Sequence, residues 1–118
     1  MADAGLFVGF GSPVRGRESQ AVELFNETIE WYAQLEEDGT IESFEPVFLE
    51  PHGGDLSGFI LIRGESEKLA ELRVSAPFTQ FTIKAGLYVD SIGVVGADLN
   101  ARLQSQMAFY IEQIGALA

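Results

Sequence analysis

The chain has no cysteine and a single histidine, His52. Without thiols there is no disulfide framework, no thiol nucleophile and no thiolate metal site. With one imidazole, a zinc site would need carboxylates drawn from several separate segments. No metal and no cofactor is therefore expected. Basic residues are also scarce, seven lysines and arginines against 18 acidic residues, for a net charge of −11. A field of that sign repels phosphate backbones and anionic lipid headgroups, so neither nucleic acid nor a membrane surface is an expected partner. The apolar runs are short ("FILI", "IGVV"), too short to span a bilayer. "MADAGLFVGFG" lacks a basic leader and runs straight into a strand pattern, so the expected location is the cytoplasm.

What is present is a core. Hydrophobic residues make up 47% of the 118 residues, enough to exclude a disordered chain and to fill one domain. Residues 6–10, "LFVGF", read as a first strand ended by Gly11, Ser12 and Pro13. From Glu18 to Glu37, Val22, Phe25, Ile29 and Tyr32 recur at steps of three and four while Glu23, Glu27 and Glu30 occupy another face, which predicts a helix. Asp38-Gly39 stops it, because glycine suits the left-handed position after a helix C-terminus. Residues 41–49 and 58–63 read as the second and third strands. Ser66 is placed as the N-cap of a short helix over 68–72, and Pro77 in the first turn of another over 78–87. Residues 89–97 make a fourth strand, and Asp98 is placed as the cap of a last helix carrying Leu99, Leu103, Met107, Ile111 and Ile114 at helical spacing.

The order is β-α-β-β-α-β plus a C-terminal helix over 98–115, the ferredoxin-like α+β pattern with a four-stranded antiparallel sheet. The second strand then lies at a sheet edge, where Pro46 is tolerated because part of the edge backbone is unpaired. The segment "EPVFLEPHGGDLSGFILIRG", residues 45–64, reads as a hairpin with His52 at its tip, Pro51, Gly53, Gly54 and Asp55 supplying turn chemistry. With the turn centred on Gly54, Leu49 faces Phe59, Val47 faces Leu61 and Glu45 faces Arg63, so that both faces of the hairpin are apolar. Helices cover one face of such a sheet. The other is expected to pack against the same face of a second copy, giving a homodimer.

These elements, the hairpin, "SAPFTQFTIKAGLYVDSIGVV" with its small residue-Pro-Phe helix entry, and the apolar sheet resemble the dimeric α+β barrel superfamily over roughly residues 5–97. The resemblance implies a ferredoxin-like protomer with sheets packed face to face. The superfamily includes cofactor-independent monooxygenases, haem-degrading monooxygenases, small isomerases, stress proteins and proteins of unassigned role, so the fold does not select an activity. The haem-degrading members use an Asn on the first strand, a Trp on the third and a His on the second helix. Here "LFVGF" has no Asn, Trp31 lies on the first helix and His52 in the hairpin, so that subgroup does not fit.

Several clusters invite a site. "GSPVRGRE", residues 11–18, approximates a phosphate loop, but Arg17 replaces the lysine, Glu18 the magnesium-binding hydroxyl, and Pro13 removes an N–H donor. Val14 likewise breaks the dinucleotide fingerprint in "GFGSPV". Arg15 and Arg17 stand before a helix N-terminus and suit an anionic ligand, unless Glu18 neutralises them. Glu45 and Arg63 are read as a cross-strand ion pair, with a general-base role for Glu45 opposed by its arginine. Glu23, Glu27 and Glu30 are read as a solvated face. Tyr32 shares the core face, and Trp31 flanks it as core or interface packing.

Three readings remain at this stage: a protein binding a small apolar or anionic ligand between sheet and helices, with Arg15, Arg17, Tyr32, Glu45 and Arg63 as candidate contacts; a cofactor-independent monooxygenase or isomerase acting on a hydrophobic small molecule, its acid or base among Glu45, Tyr32 and Asp90; and an interaction module using the C-terminal helix.

Overall fold

Alternation of apolar residues at period two builds a sheet whose even-numbered side chains face helices. In the computed structural model, which describes residues 2–117, the elements in chain order are β1 (Ala4–Phe10), α1 (Glu18–Glu37), β2 (Ser43–Phe48), β3 (Gly58–Gly64), α2 (Ser66–Val74), α3 (Ala76–Tyr88), β4 (Gly93–Asp98) and α4 (Asn100–Leu117). The four strands form one antiparallel sheet in the order β2-β3-β1-β4. This is the ferredoxin-like topology, with β2 and β4 at the edges.

Leu6 and Val8 of β1 and Ile60 and Ile62 of β3 point to the helix side, where Tyr32, Leu69, Leu72 and Phe78 cover them. Ile62, at the centre, has no exposed surface. Trp31 stacks on Phe81 with ring centroids 4.9 Å apart and so ties α1 to α3. Helix α1 ends as its sequence requires: Gly39 sits at φ +84°, a conformation costly for residues with a Cβ. Between α2 and α3 the chain takes one extended residue, Ser75. Its hydroxyl accepts from the Phe78 N–H at 3.4 Å, and Pro77 follows in the first turn.

Five sequence expectations are corrected. The β2–β3 register is centred on Gly53, so that Val47 faces Phe59, Glu45 faces Leu61 and Ser43 faces Arg63. The apex falls on Gly53 because the loop needs a residue at φ +83° there. A slip of two residues changes partners but preserves faces, because side chains alternate with period two. Val22 is 59% exposed, because the α1 face that meets the sheet runs through Ala21, Leu24 and Tyr32 instead. Ser66 is the first helical residue of α2, Glu65 being the N-cap. Residues 89–92 are not strand, since Asp90-Ser91 forms a turn with Ser91 at φ 56°, and β4 starts at Gly93. Asp98 ends β4 instead of capping α4; its carboxylate pairs with Arg102 at 3.2 Å.

Among the described residues, no helix covers the opposite face of the sheet. It presents Phe7, Val47, Phe59, Leu61, Val95 and Ala97, with Phe7 stacked on Phe59 at 5.0 Å.

Candidate functional site

The helix-facing side of the sheet does not fill completely at one end. Where β1 and β2 finish, a cavity of about 550 Å³ opens between the sheet, the N-terminal half of α1 and the C-terminal end of α3. That volume lies within the range of small-molecule sites, roughly 300–1,000 Å³. Its floor is Val8 and Ile60, its helical walls are Ala21, Leu24 and Ala85, and Val89 and Ile92 close the far side. The small side chains of Ala21 and Ala85 keep the helices from filling it.

Three phenylalanines converge on this cavity. Phe10 lies 6.1 Å from Phe25 and 6.1 Å from Phe48, edge to face in both cases, and Phe25 lies 5.1 Å from Phe48. Phe10 and Phe48 are the last residues of their strands, and Phe25 reaches them from the second turn of α1. Phe48 is 68% exposed, an unusual position for a phenyl ring, and stands at the mouth. Polar groups are few: Asn26, Thr28 and Ser57. The Thr28 hydroxyl already donates to the Leu24 carbonyl at 2.7 Å. Among the described residues, no Asp, Glu, His, Lys, Arg or Tyr lines the cavity. The lining therefore suits an uncharged, aromatic or aliphatic molecule, and offers no side-chain acid or base to it.

The candidate residues of the sequence lie outside the cavity lining. Arg15 and Arg17 lie in the exposed loop before α1. Arg17 sits 5.9 Å from the Tyr88 ring, a cation–π distance, and the Glu18 carboxylate accepts from the Gly16 N–H at 2.9 Å. Glu18 thus takes a backbone donor that an anion at this helix end would use. Tyr32 is buried in the core against Trp31 and Phe44, and burial pushes its phenol well above the ordinary tyrosine range. Glu45 and Arg63 meet at 3.3 Å on the open face, as diagonal and not directly opposed neighbours. Asp90 serves through its backbone, its carbonyl accepting from Gly11 N–H at 2.7 Å. His52 belongs to the hairpin: its Nε2 lies 2.8 Å from the Leu56 carbonyl and its Nδ1 accepts from Gly54 N–H.

A second depression, about 570 Å³, lies where α1 ends beside α2, with Asp38, Lys68 and Glu71 on its walls. Thr40 donates to Asp38 from both its hydroxyl and its N–H, and these bonds hold that carboxyl below the usual range. This is a turn holding itself together. Among the described residues no cluster of three His, Asp or Glu side chains is placed to hold a metal ion, and no helix is long and apolar enough to cross a membrane.

No protein-family model matches the chain, and no curated protein matches it in sequence. Solved structures do match its fold. The hydroxynitrile lyase from Passiflora edulis aligns with a TM-score of 0.62 at 11% identity, over 86% of this chain and 97% of that one. A dimeric protein of unknown function and ferredoxin-like fold from Bacteroides fragilis aligns at 0.57 and 8% identity, over 81% and 96%. SnoaB, a cofactor-independent oxygenase from Streptomyces nogalater, aligns at 0.53 and 13% identity, over 84% and 95%. At these identities the likeness is one of fold. The chain has a ferredoxin-like α+β fold, extended by a C-terminal helix.

Proposed function

We propose that this protein is a homodimer that binds a small apolar, aromatic molecule in the cavity of each protomer. The observation that carries the reading is the ring of Phe10, Phe25 and Phe48 around a cavity with no ionisable lining. Phenyl edges and faces at these separations accept a further ring in offset or edge-to-face contact, each such pair contributing about 0.5–1.5 kcal/mol beyond area burial. The homodimer follows from the apolar open face of the sheet and is supported by the dimeric Bacteroides fragilis neighbour. An anionic group on the ligand would have to reach Arg15 or Arg17 outside the cavity, against the competition of Glu18.

The test is a thermal-shift and calorimetric titration with 1-naphthol and indole on the parent and on Ala85→Phe, which fills the cavity from α3. At a ligand concentration 100 times Kd, binding adds about 2.7 kcal/mol to stability. Melting is expected to rise with the parent and not with the variant. A parent that shows neither heat nor shift contradicts the proposal.

Catalysis is the second reading, favoured by the fold likeness to a cofactor-independent oxygenase and to a lyase. Because no side-chain acid or base lines the cavity, chemistry there would rest on the substrate's own acidity, assisted by Ser57 or Asn26. Oxygen uptake with an added hydroxyarene separates the two: binding without uptake leaves the ligand-binding reading, and uptake lost in Ala85→Phe supports catalysis.

A further inference from the structure

Helix α4 is 18 residues long and has no buried residue. Leu103, Met107, Phe109, Tyr110, Ile111 and Ile114 are each half or more exposed, although they include the largest apolar side chains of the segment. An isolated helix of this length is marginal in water, and in proteins helices hold mainly by packing an apolar face. Leu103, Met107, Tyr110, Ile114 and Leu117 follow one another at steps of four and three, which aligns them in one seam. The helix also carries only one arginine and one glutamate, in a chain of net charge −11. Arg102 is already held by Asp98 and by the Ser66 hydroxyl.

The root of α4 fixes where it meets other surfaces. Leu99, immediately before it, stands over Gly5 beside Leu61, so the helix leaves from the open face of the sheet. That face has one central row in register, Glu45, Leu61, Phe7 and Val95, and its glycines are already covered, Gly5 by Leu61 and Leu99 and Gly9 by Phe7 and Leu56. A two-fold axis parallel to the strands lays β3 of one copy over β1 of the other. An axis across the strands through the central row would set each strand on its own copy, with the Glu45 carboxylate against its own copy. Repulsion of like charges across an interface favours the first. In the order β2-β3-β1-β4, the first axis also brings β4, and with it α4, beside the partner's β2 edge.

We infer that α4 docks across the dimer, its seam lying against the β2 edge of a second copy of this chain. The proposal rests on the homodimer reading and deepens it. Three observations select a second copy as occupant. The helix, with one arginine and one glutamate and so no net charge, meets a strongly acidic partner without net repulsion. The β2 edge has unpaired backbone and exposed Pro46 and Phe48, and covering an edge with a helix is one way proteins protect it. Finally, the sheet face alone is small. Four strands about 4.8 Å apart and six residues long give a footprint of roughly 400 Å². A helix of about 27 Å by 10 Å adds roughly 270 Å². A stable interface needs about 800 Å² of accessible surface from each partner, and the helix brings the pair towards it.

The test is photo-crosslinking of dimers mixed from isotopically heavy and light chains, with p-benzoylphenylalanine in place of Tyr110. Adducts are mapped by mass spectrometry. Heavy–light adducts on residues 43–49 are expected. In parallel, Leu103→Glu combined with Met107→Glu is expected to raise the dimer dissociation constant at least about tenfold while near-ultraviolet circular dichroism is unchanged. If that variant does not fold, the crosslinks still decide. A dimer whose adducts lie only within one chain, or on elements other than β2, overturns the docking while the homodimer stands. A monomeric parent overturns both.

Discussion

Val95→Asp places a carboxylate on the open face of the sheet at a residue already 55% exposed in the protomer. Val95 is on edge strand β4, directly opposite Phe7. In an isolated protomer the new charge stays hydrated, and the loss is the half-buried contact of one valine, about 1 kcal/mol. In a face-to-face dimer the same carboxylate is desolvated. Taking two ions out of water costs several kcal/mol each, and symmetry places two in every interface. Allowing about 2 kcal/mol per ion for a position near the sheet edge, the dimer weakens by about 4 kcal/mol, a rise in Kd of roughly a thousandfold. Sedimentation velocity across a concentration series reads this, with the melting temperature as a control on the protomer. The expected result is a folded protein that dissociates at concentrations where the parent stays dimeric. A variant that associates as tightly as the parent would refute the reasoning that the apolar face is an interface.

Three further outcomes are expected. Ile62→Ala, at the position with no exposed surface, should destabilise the protein by about 2–5 kcal/mol in a urea titration, with β1 and α2 partners left around the void. Tyr32 is buried with its pKa raised, so the folded state keeps the phenol proton at pH values where the unfolded chain, near 10, loses it. Stability from this group is therefore complete below about pH 10 and declines above it, and Tyr32→Phe should remove that alkaline decline in melting curves. A double-mutant cycle on Glu45 and Arg63 in an interface-disrupted, monomeric background should give a coupling below about 1 kcal/mol, since both side chains are partly exposed there.

The fold was legible where one physical rule dominated. Helix α1 follows from the step-of-three-and-four pattern and the Asp38-Gly39 stop, and its observed bounds are those expected. The strand order follows from element order and from Pro46 at an edge. Register was legible only modulo two: apolar alternation fixes the face, whereas the partner depends on which glycine takes the positive φ, Gly53 or Gly54. The exposure of Val22 shows the same limit, because Ala21 and Leu24 compete for the same helical face and periodicity alone does not rank them. The place of the cavity, between sheet and helices, was legible; its lining was not. Charged residues drew attention to Arg15, Arg17, Glu45 and Arg63, while the cavity is made by Phe10, Phe25 and Phe48, which read as ordinary core. A signal was available: Phe10 and Phe48 both end strands on the helix-facing side, where small residues on α1 and α3 leave room above them.

A dimer whose protomers each hold an apolar ring is the central claim. Native mass spectrometry of the protein with and without 1-naphthol measures both properties in one spectrum. The predicted result is a dimer that gains up to one naphthol per protomer, with the gain abolished in Ala85→Phe. A dimer that takes up none, or a protein that flies as a monomer, would contradict it.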